Sequence, residues 1–267
     1  IIPPFYNVYE LRVAHNICNF LRNREKHMKV VVGSNERISK LIADEFINII
    51  FRKPDCVLGL ATGTSPLNIY KNLIDAYKNG IISFKNVKTF NLDEYVGLDG
   101  NHKQSFRYFM NKNLFNHIDI DKKNTHVPYG VGEYELQAEQ YDTAIINSGG
   151  IDIQLLGLGS DGHIGFNEPG SSFDSLTHVE QLTESTIRDN SRLFEDISEV
   201  PTKAVTMGLK SIMNAKKIVL IAKGKHKAQA VYNLLKGPLT EQVPCSILQL
   251  HKDCTIFVDD EAYALCK

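Results

Sequence analysis

Short apolar segments alternate with longer segments in which apolar residues recur every three or four positions, and this alternation limits the possible folds severely. The short segments are MKVVV (28–32), CVLGLA (56–61), VKTFNL (87–92), IDIQLLGLG (151–159), KIVLIAKG (217–224) and TIFVDD (255–260). They are too short for helices and rich in β-branched residues, as buried parallel strands are. The pattern predicts an α/β fold with a single domain: a Rossmann-like, open, mostly parallel sheet with helices on both faces.

Charge and composition exclude several classes of function. The 267 residues carry 30 Lys and Arg against 31 Asp and Glu, so the formal net charge is −1 and offers no positive field for a nucleic-acid backbone. No apolar stretch approaches the roughly 18 residues that a membrane-spanning helix needs. The five cysteines are scattered without metal-type spacing, which predicts a cytoplasmic protein. We expect neither nucleic acid nor membrane as a partner; monomer and homo-oligomer both remain open.

One folded domain is expected over residues 28–267, because no repeat and no Pro/Gly/Ser linker divides it. Residues 1–27 match no signal-peptide pattern, and we expect them to form an N-terminal extension of unknown role. The segment from 168 to 201 is polar and only weakly periodic. We expect this lid segment to cover a ligand site.

Ligands of an open parallel sheet bind beyond the carboxyl ends of its strands. The first informative strand end is a turn before Pro66 that contains Thr62, Gly63, Thr64 and Ser65. Small side chains and backbone N–H groups at the start of a helix bind anions, phosphate in particular. A simple capping turn, with Thr64 or Ser65 as the N-cap, explains the same residues equally well.

Two adjacent carboxylates, Asp93 and Glu94, follow the predicted strand at 87–92. Neighbouring acids in a cleft shift each other's proton affinity, which suits general acid–base catalysis. The alternative is a solvated loop in which the acids cap the next helix.

The glycine-rich segment LLGLGSDGHIGFNEPGSS (155–172) places Asp161, His163 and Glu168 within eight positions. A histidine held by an acid through one ring nitrogen can shuttle protons with the other near neutral pH. A divalent metal site and an ordinary loop histidine are the alternatives. We predict no metal, because no second His or Cys lies at ligand spacing.

Basic residues that could complete a phosphate site occur in two later segments. They are Arg192 in NSRLF, and Lys223, Lys225 and Lys227 in AKGKHKA. Cations that converge on the turn before Pro66 would pair with a bound phosphate, whereas a surface charge run is the plain alternative. Lys227 is the strongest candidate of the three lysines, because it is predicted to lie on the first turn of a helix.

From Met28 to nearly the last residue, the sequence resembles the glucosamine-6-phosphate deaminase (isomerase) family. The resemblance is carried by LGLATGTSP, FNLDEYVGL, GSDGHIGFNEPGSSF, ESTIRDNSRLF, VPTKAVTMG and GKHKAQA. It implies that residues 28–267 are a catalytic domain that converts D-glucosamine 6-phosphate and water into D-fructose 6-phosphate and ammonia, in amino sugar catabolism. It also implies that the enzyme needs no cofactor. A hydrolase like 6-phosphogluconolactonase is the alternative.

The resemblance also implies roles for individual residues. Asp93 matches the base that moves a proton between carbon 2 and carbon 1, and His163 matches the group that opens the sugar ring. Asp161 and Glu168 match the carboxylates that orient His163. The residues that match the binding site of the sugar phosphate are Thr62, Gly63, Thr64, Ser65, Arg192 and Lys227.

One departure from the family concerns regulation. In hexameric members that N-acetylglucosamine 6-phosphate activates, the lid supplies basic side chains to the activator. This sequence has His178 and Glu180 in the corresponding stretch, and it lacks the longer C-terminal tail of that group. We therefore expect it to belong to the short, non-allosteric branch, with hyperbolic kinetics.

Overall fold

The structure is a computed structural model that describes residues 28–191 and 194–267. Two predictions fall outside these residues: the expected extension at 1–27 and the phosphate ligand Arg192. The described cysteines, which are Cys56, Cys245, Cys254 and Cys266, are free thiols. Among the described helices, none combines the length and the apolar composition needed to cross a bilayer.

The strands in the described part of the chain form two sheets. The larger consists of β1 (Met28–Val32), β2 (Val57–Leu60), β3 (Lys88–Asn91), β5 (Thr125–His126), β6 (Ile153–Gly157), β9 (Ile218–Ala222) and β10 (Cys254–Val258). The smaller consists of β4 (Asp93–Tyr95), β7 (His178–Gln181) and β8 (Lys203–Thr206). Every neighbouring pair in the larger sheet is parallel, in the order β1-β10-β9-β6-β2-β3-β5. The predicted α/β fold with a mostly parallel sheet is therefore confirmed.

Within residues 28–191 and 194–267, seven α-helices connect the strands. They are α1 (Asn35–Arg52), α2 (Leu67–Lys78), α3 (Phe106–Asn113), α4 (Tyr134–Asn147), α5 (Glu184–Ser191), α6 (Leu209–Met213) and α7 (Ala228–Lys236). Helix α1 begins after the N-cap Ser34, whose hydroxyl accepts the Arg37 N–H at 3.3 Å. Its apolar residues at helical spacing, Ile38, Ile42 and Phe46, are buried in the core.

Strand order determines where a ligand can bind. From β1 the chain crosses to β2 and continues outward to β3 and β5, then returns to β6 and moves the opposite way through β9 to β10. Right-handed crossovers therefore place α1 and α2 on one face of the sheet and α4 and α7 on the other. Because the chain leaves the adjacent strands β2 and β6 in opposite directions, a crevice forms between their carboxyl ends.

The lid segment contains regular structure that the sequence analysis did not predict. It includes β7 and α5, and β7 pairs with β8, which pairs with β4. These strands have only three or four residues, and β7 (HVEQ) carries no apolar run, so their pattern resembles that of a polar loop. A second apolar cluster packs against this small sheet and consists of Tyr95, Phe166, Leu182 and Ala204.

Substitution of Gly130 tests how tightly β4 packs against the loop after β5. A Cβ at Gly130 would lie 2.0 Å from the backbone oxygen of Tyr95, and the Gly130 oxygen accepts the Gly97 N–H at 2.7 Å. We expect Gly130→Ala to lower the free energy of unfolding by about 2 kcal/mol or more, measured by urea denaturation, because backbone must move. Gly33→Ala is the control, since its nearest neighbour is the flexible end of Arg37. Equal loss in both variants would contradict the tight contact.

Candidate active site

A cavity of about 700 Å³ lies beyond the carboxyl ends of the central strands, at the crevice that the strand order defines. This volume suits a small-molecule ligand. Its lining includes the turn at 62–65, Asp93, His163 and residues after β9. A smaller groove of about 300 Å³ lies at the C-terminal end of α1, and neither carboxylates nor histidines line it among the described residues. The larger cavity is therefore the candidate site.

The turn between β2 and α2 forms one wall of the cavity through Thr62, Gly63, Thr64 and Ser65. Pro66 is the N-cap of α2, and no side chain in the described chain caps the helix. Capping by Thr64 or Ser65, the alternative that the sequence left open, is therefore not observed. Gly63 has a φ of +87°, which favours glycine. The uncapped first turn of α2 provides N–H groups and a positive dipole end for an anion.

Lys223 reaches this turn from the end of β9. Its Nζ lies 3.4 Å from the backbone oxygen of Ser65. Burial lowers the pKa of Lys223, and Asp259 partly opposes that effect. The sequence offers Lys223 as a candidate but favours Lys227. The signal that favours Lys223 is its position as the first residue after a buried strand.

Lys227 also lines the cavity, where it is the N-cap of α7. The preceding turn depends on Gly224, whose φ is +86° and whose N–H donates to the Asp259 carboxylate at 2.9 Å. The structure therefore brings two lysines to the same cavity as the turn at 62–65. Arg192, the third predicted cation, lies outside the described residues.

Asp93 is buried, with 7% of its surface exposed, and it lines the cavity at the start of β4. Burial, and secondarily the charge of Glu94, raise the pKa of Asp93 to about 8. A Cβ at Gly165 would lie 3.7 Å from Asp93 Oδ2. The glycine-rich loop after β6 therefore passes directly beside this carboxylate.

Glu94 has a different role from its neighbour. Its carboxylate accepts the backbone N–H groups of Tyr95 and Phe106 at 2.9 Å and of Arg107 at 3.0 Å. Burial raises the pKa of Glu94 to about 7 although these hydrogen bonds act in the opposite direction. The helix-capping alternative therefore applies to Glu94, which caps α3 together with Ser105, whereas Asp93 faces the cavity.

His163 lies between two carboxylates. Its Nδ1 is 2.8 Å from Asp161 Oδ1 and 3.9 Å from Glu168 Oε2. Burial acts to raise the pKa of Asp161, but its contacts with His163 outweigh that effect and the pKa falls to about 2. A Cβ at Gly159 would lie 2.4 Å from the imidazole, so glycine is required beneath the ring.

Glu168 is held by the lid segment. It is 4% exposed, and its Oε1 accepts hydrogen bonds from Thr186 Oγ1 at 2.6 Å and Thr183 Oγ1 at 3.3 Å. Neither threonine is among the site residues that the sequence predicts. No motif marks them, because they lie 15 and 18 positions after Glu168 in a segment that shows no helical period.

Asp161, His163 and Glu168 are also the described residues that come closest to a metal site, with ligand atoms within 4.8 Å of one another. Two ligands of a tetrahedral zinc ion lie roughly 3.3 Å apart. The 2.8 Å between His163 Nδ1 and Asp161 Oδ1 is instead a hydrogen-bonding distance. The three residues fit a proton-transfer group better than a metal centre.

A parallel sheet with an uncapped helix N-terminus and buried titratable groups at its switch point is typical of α/β proteins that bind phosphorylated small molecules. The family model described as "Glucosamine-6-phosphate isomerases/6-phosphogluconolactonase" matches residues 34–257. The chain belongs to that family.

Several relatives are similar along nearly their whole length. A glucosamine-6-phosphate deaminase of Thermoanaerobacter sp. (strain X514) is 54% identical over 240 residues, which are 89% of this chain and 95% of the relative. One from Clostridium perfringens (strain 13 / Type A) is 52% identical over 242 residues, 90% of this chain and 100% of the relative.

Solved structures share the fold. A monomeric glucosamine-6-phosphate deaminase has a TM-score of 0.87 and 44% identity, covering 89% of this chain and 100% of that structure. The 6-phosphogluconolactonase of Trypanosoma brucei has a TM-score of 0.73 at 19% identity, covering 90% and 98%. The second similarity shows the fold alone.

Substitutions of the two adjacent acids, Asp93 and Glu94, should have opposite effects on the free energy of unfolding. Because the folded state raises the pKa of Asp93 from 3.8 to about 8, the folded state binds more protons across this range, and the free energy of unfolding falls as the pH rises. We expect Asp93→Asn to be more stable than the unsubstituted protein at pH 8, by about 1–3 kcal/mol, and the gain to shrink toward pH 5. Urea denaturation at both pH values measures this.

Glu94→Gln is the matched control for that prediction. It puts an amide NH₂ beside backbone N–H donors, and we expect a loss of stability at both pH values. Destabilisation by Asp93→Asn at pH 8 would contradict the burial penalty assigned to Asp93.

Proposed function

We propose that this chain is an enzyme that converts D-glucosamine 6-phosphate and water into D-fructose 6-phosphate and ammonia. The observation that carries the proposal is the buried Asp93 carboxylate, which lines the same cavity as an anion-binding turn and the His163 ring. Relatives named glucosamine-6-phosphate deaminase, similar over about nine-tenths of the chain, support it.

The phosphate of the substrate carries a charge of about −1.5 to −2 at pH 7. We assign its binding to the backbone and hydroxyl groups of the turn at 62–65, with Lys223 and Lys227 as cations on the same cavity. The resemblance adds Arg192 to this set. A phosphate held there fixes carbon 6, so the reacting carbons extend toward Asp93 and His163.

His163 serves the opening of the sugar ring. It accepts the proton of the hydroxyl on carbon 1 and returns a proton to the ring oxygen; the bond between carbon 1 and the ring oxygen breaks, and an aldehyde forms. Asp161 holds Nδ1 of the imidazole at 2.8 Å, which leaves Nε2 to exchange protons with the substrate.

Asp93 serves the isomerisation. Its carboxylate removes the proton from carbon 2 of the open-chain aldehyde while the carbonyl oxygen on carbon 1 takes up a proton, which gives an enolamine. The carboxyl group then delivers its proton to carbon 1 while the amine nitrogen releases one, so that carbon 1 carries an alcohol and carbon 2 an imine. Water then adds to the imine, and ammonia leaves as the ketone of fructose 6-phosphate forms. A carboxyl group with a pKa of about 8 exchanges protons efficiently near neutral pH.

A coupled assay of ammonia and fructose 6-phosphate tests this function. We expect turnover of glucosamine 6-phosphate and no hydrolysis of 6-phosphogluconolactone, the substrate of the alternative activity. Asp93→Asn should lower kcat by about 10³-fold or more, and His163→Gln by about 10²-fold, with KM changed little. Lys225→Met, at an exposed position, is the control. Lactone hydrolysis without ammonia release would refute the proposal.

We also propose that the enzyme is not activated by N-acetylglucosamine 6-phosphate. At the positions where the lid of activated relatives is expected to supply cations, His178 Nε2 is 2.8 Å from Glu180 Oε2. The hydrogen bond to Glu180 is the largest of several causes that raise the pKa of His178. The Glu180 carboxylate repels a phosphate, and it keeps the His178 imidazole paired with itself.

The rate should therefore depend hyperbolically on substrate concentration. Addition of N-acetylglucosamine 6-phosphate at millimolar concentration should leave kcat and KM within about twofold, because no free cation pair awaits its phosphate at these two positions. Initial-rate measurements with and without the compound decide the matter. A sigmoidal curve that the compound makes hyperbolic would contradict the prediction.

We further propose that residues 28–267 are the catalytic unit, with residues 168–201 as its lid, and that the enzyme acts in the cytoplasm in amino sugar catabolism. The lid segment supplies Thr186 and Asn190 to the cavity lining, which supports its role over the ligand.

A further inference from the structure

The two oxygens of the Glu168 carboxylate have very different surroundings. Oε1 accepts three contacts from the lid segment, of which the one from Thr186 Oγ1 is the shortest at 2.6 Å. Oε2 is fully buried, and no donor in residues 28–191 or 194–267 forms a hydrogen bond with it. A buried carboxylate oxygen without a donor is costly, so the position of this group must be enforced by its neighbours.

The His163 ring could donate a hydrogen bond to Oε2, but its Nδ1 lies 3.9 Å away. That distance is too long for a hydrogen bond, whereas Asp161 contacts the same nitrogen at 2.8 Å. Glu168 is therefore held beside His163 without touching it. A small rotation of the carboxylate would close the gap.

Thr186 is the residue that holds the Glu168 carboxylate away from the His163 ring. It is 6% exposed on the first turn of α5, and its hydroxyl proton is directed to Glu168 Oε1. Thr183 Oγ1 accepts the Thr186 N–H at 3.3 Å, and it also donates to Glu168 Oε1 at 3.3 Å. The hydrogen bond from Thr186 to the same oxygen is shorter, at 2.6 Å, and is the stronger of the two.

We propose that Thr186 is a positioning residue that keeps Glu168 close to His163 but out of hydrogen-bond contact with it, and thereby keeps the imidazole able to accept a proton. The inference rests on the proposed function, in which His163 takes the proton of the hydroxyl on carbon 1. If Glu168 moved into contact, the imidazolium would gain a second carboxylate partner and would hold its proton to higher pH.

Thr186→Val removes the hydroxyl while keeping the shape of the side chain. We expect kcat at pH 7 to fall about tenfold with KM within twofold, and the acidic limb of the kcat–pH profile to move up by about half a pH unit or more. Thr186→Ser, which keeps the hydroxyl, should restore the profile. Thr177→Val is the matched control, because Thr177 is a buried lid threonine whose hydroxyl has no partner in the described chain.

A double substitution separates positioning from a merely structural role. If Thr186 acts through Glu168, Thr186→Val should have no further effect in a Glu168→Gln background. The other titratable groups on the cavity are unchanged in every variant; in the described chain these are Asp93, Tyr95, Lys103, Lys223, His226, Lys227 and Asp259. An equal loss in both backgrounds, or failure of serine to restore the profile, would overturn the proposal.

The titration of the His163 ring, followed by NMR without substrate, makes the test independent of turnover. We expect its midpoint to rise in Thr186→Val and to stay unchanged in Thr177→Val. An unchanged midpoint in Thr186→Val would overturn the role of Thr186, even if the deaminase activity is found. A shifted midpoint in a protein that does not release ammonia would instead refute the proposed function and leave the positioning intact.

Discussion

The burial of the Asp93 carboxylate is the constraint on which the candidate site depends. In a strand, successive side chains point to opposite faces, so β4 separates two adjacent acids. Asp93 faces the cavity and keeps a pKa of about 8, whereas Glu94 accepts three backbone N–H groups and caps α3. Asp93 is therefore desolvated at the cavity, and Glu94 fixes the strand that carries Asp93 through its hydrogen bonds to the backbone.

Close approach of the backbone at two glycines brings the loop after β6 and the His163 ring to the Asp93 carboxylate. Gly165 lets the loop after β6 pass beside Asp93, and Gly159 leaves room for the His163 ring. The strand order places this loop next to the turn at 62–65, since β2 and β6 are neighbours and their helices leave in opposite directions. The proposed phosphate site and the proposed proton-transfer groups thus share one crevice.

The sequence was sufficient for the central sheet, because each of the six predicted strands is a short apolar run. Strands β2, β9 and β10 are buried throughout, whereas the edge strand β1 is partly exposed. The sequence did not predict β5, because this strand has only two residues. Nor did it predict the small sheet, because the short strands of that sheet carry mixed side chains. The resemblance matched Asp93 alone to the base, but the residue pattern itself could not separate Asp93 from Glu94, because only the pairing of β4 decides which acid faces the cavity. The links from Thr183 and Thr186 to Glu168 have no sequence signal at all, since they join segments through packing.

The central claim is that this cavity moves the proton from carbon 2 of an amino sugar phosphate. Glucosamine 6-phosphate deuterated at carbon 2 tests it directly, with mass spectrometry of the product. We expect carbon 2 to lose its deuterium as ammonia is released and carbon 1 to acquire deuterium or solvent hydrogen, and we expect Asp93→Asn to abolish this loss. An aldose product that keeps its deuterium on carbon 2, or undiminished loss of deuterium in Asp93→Asn, would contradict the role of Asp93.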